Sequence, residues 1–236
     1  MQQSMKTYRA LAALLGYPDE DLVCALPEIM AVIVAERLLS PRQERALDTL
    51  AGHLRESDLI EAQEHYVGLF DRVRSLSLHL FEHVHGESRD RGQAMVDLRS
   101  VYSRAGFELT PSELPDYLPA FLEFLSTQPL DEARRLLGDT VHLIDGMAAR
   151  LEKRRSPYAA VLQALLALSG LREPATAVTD EDIRAEDDPA LLDALWADQP
   201  AFGPGATGCG GATGAAQASS TRGGASVVHV HRRNAV

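Results

Sequence analysis

Cysteine is scarce: Cys24 and Cys209 are the only two in 236 residues, and no Cys-x-x-Cys occurs. That scarcity excludes a disulfide framework, a cysteine-rich zinc site and a thioredoxin-like redox centre. Cys24 lies in an apolar helical run, where a small thiol is expected to be buried; Cys209 lies in a glycine tract and is expected to be an exposed free thiol. Positive charge is also short, with 23 Lys and Arg against 34 Asp and Glu, a formal net charge of −11. Nucleic acid and anionic membrane are therefore poor partners, because binding phosphate needs a basic surface. A bilayer span takes about 20 apolar residues, and the longest apolar stretch, Leu22 to Leu39, is interrupted by Pro27, Glu28 and Glu36. The run Ala10 to Leu15 is too short for the core of a signal peptide. With no disulfide framework either, a cytoplasmic location without direct membrane insertion is the expectation. The phosphate-cradling G-x-x-x-x-G-K-[ST] loop is missing, so nothing supports a nucleotide-binding switch. Sustained period-two alternation is missing from the body of the chain, and only Val227 to His231 hints at a strand.

What is present is helical. Leu59, Ala62, Tyr66, Leu69, Phe70 and Val73 step by three and four. Leu136, Leu137, Val141, Ile144, Met147, Ala148 and Leu151 do the same, and Val161 to Leu168 continues the pattern after Pro157. Prolines follow capping residues at Ser40-Pro41, Thr110-Pro111, Ser156-Pro157 and Asp188-Pro189, where a missing N–H costs nothing. Ser40 with Gln43 and Thr110 with Glu113 match the capping box, and Asp58 with Glu61 is a weaker start of the same kind. Gly16, Gly106 and Gly170 sit where a left-handed residue would close a helix. These signals predict an all-α, single-domain bundle of about seven or eight helices. Residues 1–173 form the helical domain. Residues 174–199 form an acidic segment in which Leu191, Leu192, Leu195 and Trp196 make a short docking helix. Residues 200–236 form a Gly/Ala/Ser-rich tail that buries too little to offset its ordering entropy and is expected to be disordered.

One stretch stands apart from bundle-building sequence. Phe81 to Leu98, FEHVHGESRDRGQAMVDL, puts Glu82, His83, His85, Glu87, Arg89, Asp90 and Arg91 in a row around Gly86 as a joint. So dense a mixture of donors and acceptors costs desolvation energy wherever it is partly buried, which suggests a surface that something else reads. Two bland accounts compete with that one. His83 and His85 can each satisfy a neighbouring helix end, and the charges can pair across one turn for a few tenths of a kcal/mol each. An enzyme reading also exists: His79, Glu82 and His83 spell H-x-x-E-H, the zinc-hydrolase spacing if all three share a helix. It lacks a third ligand, since Glu152 lies beside Lys153, Arg154 and Arg155. Glu113 is accounted for by its capping box. Asp116 is expected to cap the helix running to Ser126. Tyr66, Phe70, Leu80, Phe81, Tyr117 and Phe121 are core residues by default, because aromatics at helical spacing pack inward.

The string FEHVHGESRDRGQAMVDL resembles the signature of the nitrate reductase assembly chaperones, the delta-subunit-type proteins that help insert molybdenum cofactor. YVGLFDR at Tyr66 to Arg72 and ELPDYLPAFLEFLS at Glu113 to Ser126 resemble the segments that flank it, and the likeness runs from about Tyr8 to Trp196. The wider molybdoenzyme chaperone family usually has His after the Pro-Asp pair; Tyr117 stands there instead, without the imidazole a proton-transfer role would use. The resemblance implies a non-enzymatic chaperone with no metal or cofactor of its own. Its implied client is the catalytic (alpha) subunit of respiratory nitrate reductase, bound as apo-enzyme and through its N-terminal peptide. Molybdenum cofactor biosynthesis proteins are further implied partners. The partner-binding residues it points to are Tyr66, Phe70, Phe81, Glu82, His83, His85, Gly86, Glu87, Arg89, Asp90, Arg91, Asp116, Tyr117 and Phe121. They would line a channel for a client helix.

Overall fold

The computed structural model describes residues 5–85, 89–110, 113–170, 176–188 and 231–232. The fold is all-α, as the apolar spacing predicts. In chain order the helices are α1 (Lys6–Leu14), α2 (Glu20–Glu36), α3 (Pro41–Glu56), α4 (Leu59–Phe70), a 3-10 turn (Arg74–Leu76), α5 (Leu80–His85), α6 (Arg89–Arg104), α7 (Leu118–Leu125), α8 (Leu130–Gly138), α9 (Val141–Lys153), α10 (Ala159–Ser169) and α11 (Asp180–Asp187). Two short strands, β1 (Phe107–Glu108) and β2 (His231–Arg232), pair antiparallel, Phe107 opposite Arg232.

These eleven α-helices exceed the seven or eight expected because several apolar runs are cut. The repeat from Leu136 to Leu151 is divided at Asp139–Thr140, where Gly138, Asp139 and Thr140 are weak helix formers and the Thr140 N–H turns back to the Leu137 carbonyl. The local punctuation is otherwise well realised. Ser40 and Gln43 form the full capping box, and the Asp58 carboxylate accepts the Ile60 N–H at 2.9 Å. Gly106 and Gly170 adopt φ of 81° and 71°. Gly16 does not take the left-handed conformation; its N–H closes α1 by bonding the Ala13 carbonyl at 3.0 Å.

Three expectations fail here. Cys24 is exposed on the outer side of α2, because Leu26 and Ile33 take the inward positions of that helix. Thr110 and Glu113 bond to each other, with the hydroxyl 3.1 Å from the carboxylate, but no helix starts there among the described residues and α7 begins at Leu118. Asp116 does not cap α7, whose N-cap Tyr117 makes no side-chain capping bond. The division of the C-terminal part into a docking helix at Leu191–Trp196 and a disordered tail falls outside the described residues, apart from β2.

The core is built on helices that are apolar nearly all round. α10 buries eight residues from Ala159 to Ser169 and packs on α9, α3 and α8. α7 buries Leu118, Phe121, Leu122, Phe124 and Leu125 and packs on α1. Each fully buried Leu or Phe contributes about 1.5–3 kcal/mol relative to exposure. Between α4 and α10 the rings of Tyr66, Phe70 and Tyr158 meet edge-on or tilted, with centroids 4.9–6.0 Å apart. The Tyr66 hydroxyl donates to the Leu15 carbonyl at 2.9 Å, tying α4 to the end of α1.

α1 has no side-chain cap of its own at Met5. The Glu36 carboxylate, at the end of α2, serves instead, accepting from the Lys6 N–H at 2.8 Å, the Thr7 N–H at 2.8 Å and the buried Thr7 hydroxyl at 2.7 Å. The Met5 N–H bonds the Ser126 carbonyl at 2.9 Å, so α1 is pinned between α2 and the end of α7.

Candidate functional site

The segment before α5 and the segment before α7 are stitched together. The Leu80 N–H bonds the Asp116 carbonyl at 3.0 Å, the Leu118 N–H bonds the Leu78 carbonyl at 2.8 Å, and His79 and Tyr117 form an isolated antiparallel bridge. This fixes where the Asp116 side chain goes. It is wholly buried; its Oδ2 accepts the Phe81 N–H at 3.1 Å in the first turn of α5, and its Oδ1 lies 3.5 Å from His79 Nδ1. The Pro-Asp pair therefore starts α5, not α7. Proline aids this arrangement: the Pro115 carbonyl accepts the buried Tyr102 hydroxyl at 2.7 Å, which anchors α6 to the same segment. Burial, with the Asp116 charge second, pushes the Tyr102 hydroxyl well above its usual range.

The histidines and acids of the chemically dense stretch have separate tasks. His83 Nε2 lies 2.8 Å from the Ser77 carbonyl, at the end of the 3-10 turn, so it satisfies a helix end. Glu82 meets Arg91 at 3.2 Å across the α5–α6 junction, both side chains about a quarter exposed. Asp90 is exposed in the first turn of α6. His79 precedes α5 and is not on it, so His79, Glu82 and His83 do not share a helix face and point to Asp116, Arg91 and Ser77 respectively. The helical zinc-hydrolase geometry is thereby not formed, and no group of three or more potential ligands gathers for a metal among the described residues.

Tyr117 stacks on His79 with centroids 5.2 Å apart. Burial first, then its interaction with the Tyr117 hydroxyl, raises the Tyr66 hydroxyl far above its usual range. Burial likewise raises Tyr117. Tyr66, Phe70, Asp116 and Phe121 are at most 4% exposed and face inward. Phe81, Glu82, His83 and Tyr117 are half-buried and reach the surface with Arg91. Gly86 and Glu87 lie outside the described residues, and His85 and Arg89 end α5 and begin α6.

Sequence reasoning missed the apolar part of this shoulder. Val84 on α5, Val96 on α6 and Leu114 before α7 are 52%, 58% and 45% exposed. Among its described side chains the sixteen-residue α6 fully buries Tyr102 alone; its inner stripe Ala94, Met95, Leu98 and Val101 is half-covered, and Val96 lies on the opposite, outer side. The i, i+1, i+4, i+7 spacing of that stripe was visible, but not that the body would leave it partly open. A hollow of about 990 Å³ lies elsewhere, between the outer face of α4 and α11, and its lining includes the charged residues Glu61, Glu64, Arg72 and Arg154.

Comparison with known proteins adds an independent line. The nitrate reductase delta subunit family matches residues 36–164. The chain is 40% identical over 202 residues, 85% of its length and 86% of the relative's, to the nitrate reductase molybdenum cofactor assembly chaperone NarJ of Escherichia coli (strain K12). It is 38% identical over 197 residues, 83% of this chain and 82% of the relative, to NarW of the same strain, named for the same role. A crystal structure from Archaeoglobus fulgidus, described as a redox enzyme maturation protein, superposes with a TM-score of 0.50 at 24% identity. It covers 70% of this chain and 94% of its own, and at that identity it speaks to the fold alone.

Proposed function

The chain belongs to the nitrate reductase delta subunit family, and from that premise we propose that it is an assembly chaperone for nitrate reductase, acting while molybdenum cofactor is inserted. It does no bond chemistry of its own. Its client is the catalytic alpha subunit, held by the N-terminal segment before the enzyme docks on its membrane anchor.

The observation that carries the site is the half-covered α6. An amphipathic client helix lays its apolar anchors on the shoulder formed by α5, α6 and residues 113–118, along the half-covered stripe of α6 and the solvent-open Val84 and Leu114. The Glu82–Arg91 pair sets register at the rim, since partly exposed charge pairs give orientation more than affinity. Affinity stays modest, because the client must leave: micromolar binding is about −8 kcal/mol. A few large anchors at about 25 cal/mol per Å² supply that after the costs of association.

Calorimetry with a synthetic peptide of the client's N-terminal segment tests this. The full chain binds in the micromolar range, and Val84→Arg with Leu114→Arg weakens binding at least tenfold without changing the thermal midpoint. Binding unchanged in that variant refutes the shoulder as the site; no binding and no effect on cofactor loading of the enzyme refutes the chaperone role itself.

A further inference from the structure

α2 buries far less than its sequence offers. EDLVCALPEIMAVIVAE is apolar on nearly every side, yet only Leu26 and Ile33 of its 17 residues are buried. A helix apolar all round is ordinarily enclosed. Here Cys24, Pro27, Ala31, Val34 and Ala35 lie exposed on one face at i, i+3, i+7, i+10 and i+11, with Val34 50% open. Beside them, between α2 and α3, runs a trough of about 650 Å³ whose walls include Met30 and Pro41. The two ends of the face carry opposite charge. Glu20 and Asp21 are exposed at the N-terminus, and Glu28 is exposed at mid-helix. Arg37, at the C-cap, and Arg42 and Arg45, in the first turns of α3, are exposed at the other end, where the half-buried Glu44 is the one acid among them. Asp48 follows farther along α3.

We propose that a second copy of the chain packs on this face, α2 against α2, antiparallel about a two-fold axis near Ala31. A two-fold contact requires one patch that complements itself. Antiparallel pairing sets the acidic end of each copy over the basic end of the other, whereas parallel pairing would stack like charges. The small side chains of Ala31 and Ala35 meet at the crossing and let the backbones approach to the 8–10 Å usual for packed helices. A 17-residue helix is about 25 Å long. A strip of that length and one helix wide is smaller than the roughly 800 Å² per partner of standard stable interfaces. The dimer is therefore weak and concentration-dependent. α2 packs on α1 and α3, whereas α6 packs on α5 and β1, so pairing leaves the α5–α6 shoulder of each copy uncovered.

Sedimentation equilibrium of the full chain from about 10 μM to about 1 mM, the range of a weak association, tests the proposal. The expected result is monomer at the low end and dimer at the high end. Ala31→Arg, at an exposed position, stays monomeric throughout with its thermal midpoint unchanged. Asp21→Arg and Arg42→Glu each weaken dimerisation at least threefold, and the two together restore it. Independently, Ala31→Cys in a Cys24→Ser, Cys209→Ser background crosslinks to its own copy under oxidation. A wild-type chain that stays monomeric over the whole range overturns the proposal, as does a dimer indifferent to Ala31→Arg or a double charge reversal no better than either single one.

Discussion

Removing the Asp116 carboxylate should loosen the joint on which the candidate site rests. In Asp116→Ala the backbone stitching of residues 78–80 to 116–118 stays available, because it uses main-chain groups. What is lost is a carboxylate acceptor 3.1 Å from the Phe81 N–H and a partner 3.5 Å from His79, on a side chain that is itself wholly buried. A hydrogen bond to a charged group is worth about 1.5–3 kcal/mol, and losing a helix cap alone costs about 0.5–2 kcal/mol. Part of that loss is offset because the variant no longer buries a charge. The expected net cost is about 2–4 kcal/mol, a large fraction of the 5–15 kcal/mol typical of a domain. Asp116→Asn keeps an oxygen for the Phe81 N–H and forfeits the charge, so its cost should be about 1 kcal/mol. Urea unfolding followed by circular dichroism reads the difference. With a slope of about 2 kcal/mol/M, the alanine variant's midpoint falls by about 1–2 M and the asparagine variant's by about 0.5 M. An alanine midpoint within about 0.2 M of the parent would show that the carboxylate does not hold α5. An asparagine variant as damaged as alanine would show that the acceptor geometry contributes nothing.

Glu36→Ala removes three hydrogen bonds from the start of α1 and should lower stability by about 1.5–3 kcal/mol; an unchanged urea midpoint would contradict the borrowed cap. His65, partly exposed between His53 and Tyr158, has its imidazole pKa lowered by burial first and by His53 second. Its folded value lies below the unfolded one of about 6.5, so the stability it allows is full above that pH and is lost as pH falls toward the folded value. His65→Gln should flatten the fall in thermal midpoint between pH 7.5 and pH 5.5, and an equal fall in parent and variant would refute this. α11 buries no residue and is held by Arg150–Glu186, Arg154–Glu186, Arg154–Asp187 and Lys153–Asp180 at 2.7–3.2 Å. Raising salt to about 1 M, where screening acts within about 3 Å, should speed amide exchange in residues 180–187 while α10 stays protected; salt-independent exchange would show that something other than charge holds the helix.

What the sequence disclosed was whatever depends on near neighbours. Ser40 and Gln43, Asp58, Gly106 and Gly170 act within a few residues of themselves, and the structure uses them as their spacing predicts. Arg37 and Arg155 take left-handed conformations just past the ends of α2 and α9 with no glycine to announce them. The role of Asp116 was misassigned. Its local partner would be α7, but the bridge between His79 and Tyr117 brings a helix start from 35 residues upstream closer to the carboxylate. Cys24 was misplaced because an apolar helix can keep either of two faces inward, and composition does not say which. At the candidate site, the sequence marked a stretch by its density of charge and imidazole. Which of its residues face solvent depends on how much of α6 the body covers, and the contacts of Tyr102 with Pro115 and Phe124 that bear on it join residues 13 and more apart in the chain.

The borrowed cap on α1 has a consequence for how the molecule is made. Residues 6 and 7 leave the ribosome ahead of the carboxylate that secures them, which follows about 30 residues later, and the Ser126 carbonyl that holds Met5 comes later still. α1 therefore has no settled place until the chain has been translated as far as Ser126. A helix translated ahead of those it packs on, α2 and α7, is thus secured only after both have been made.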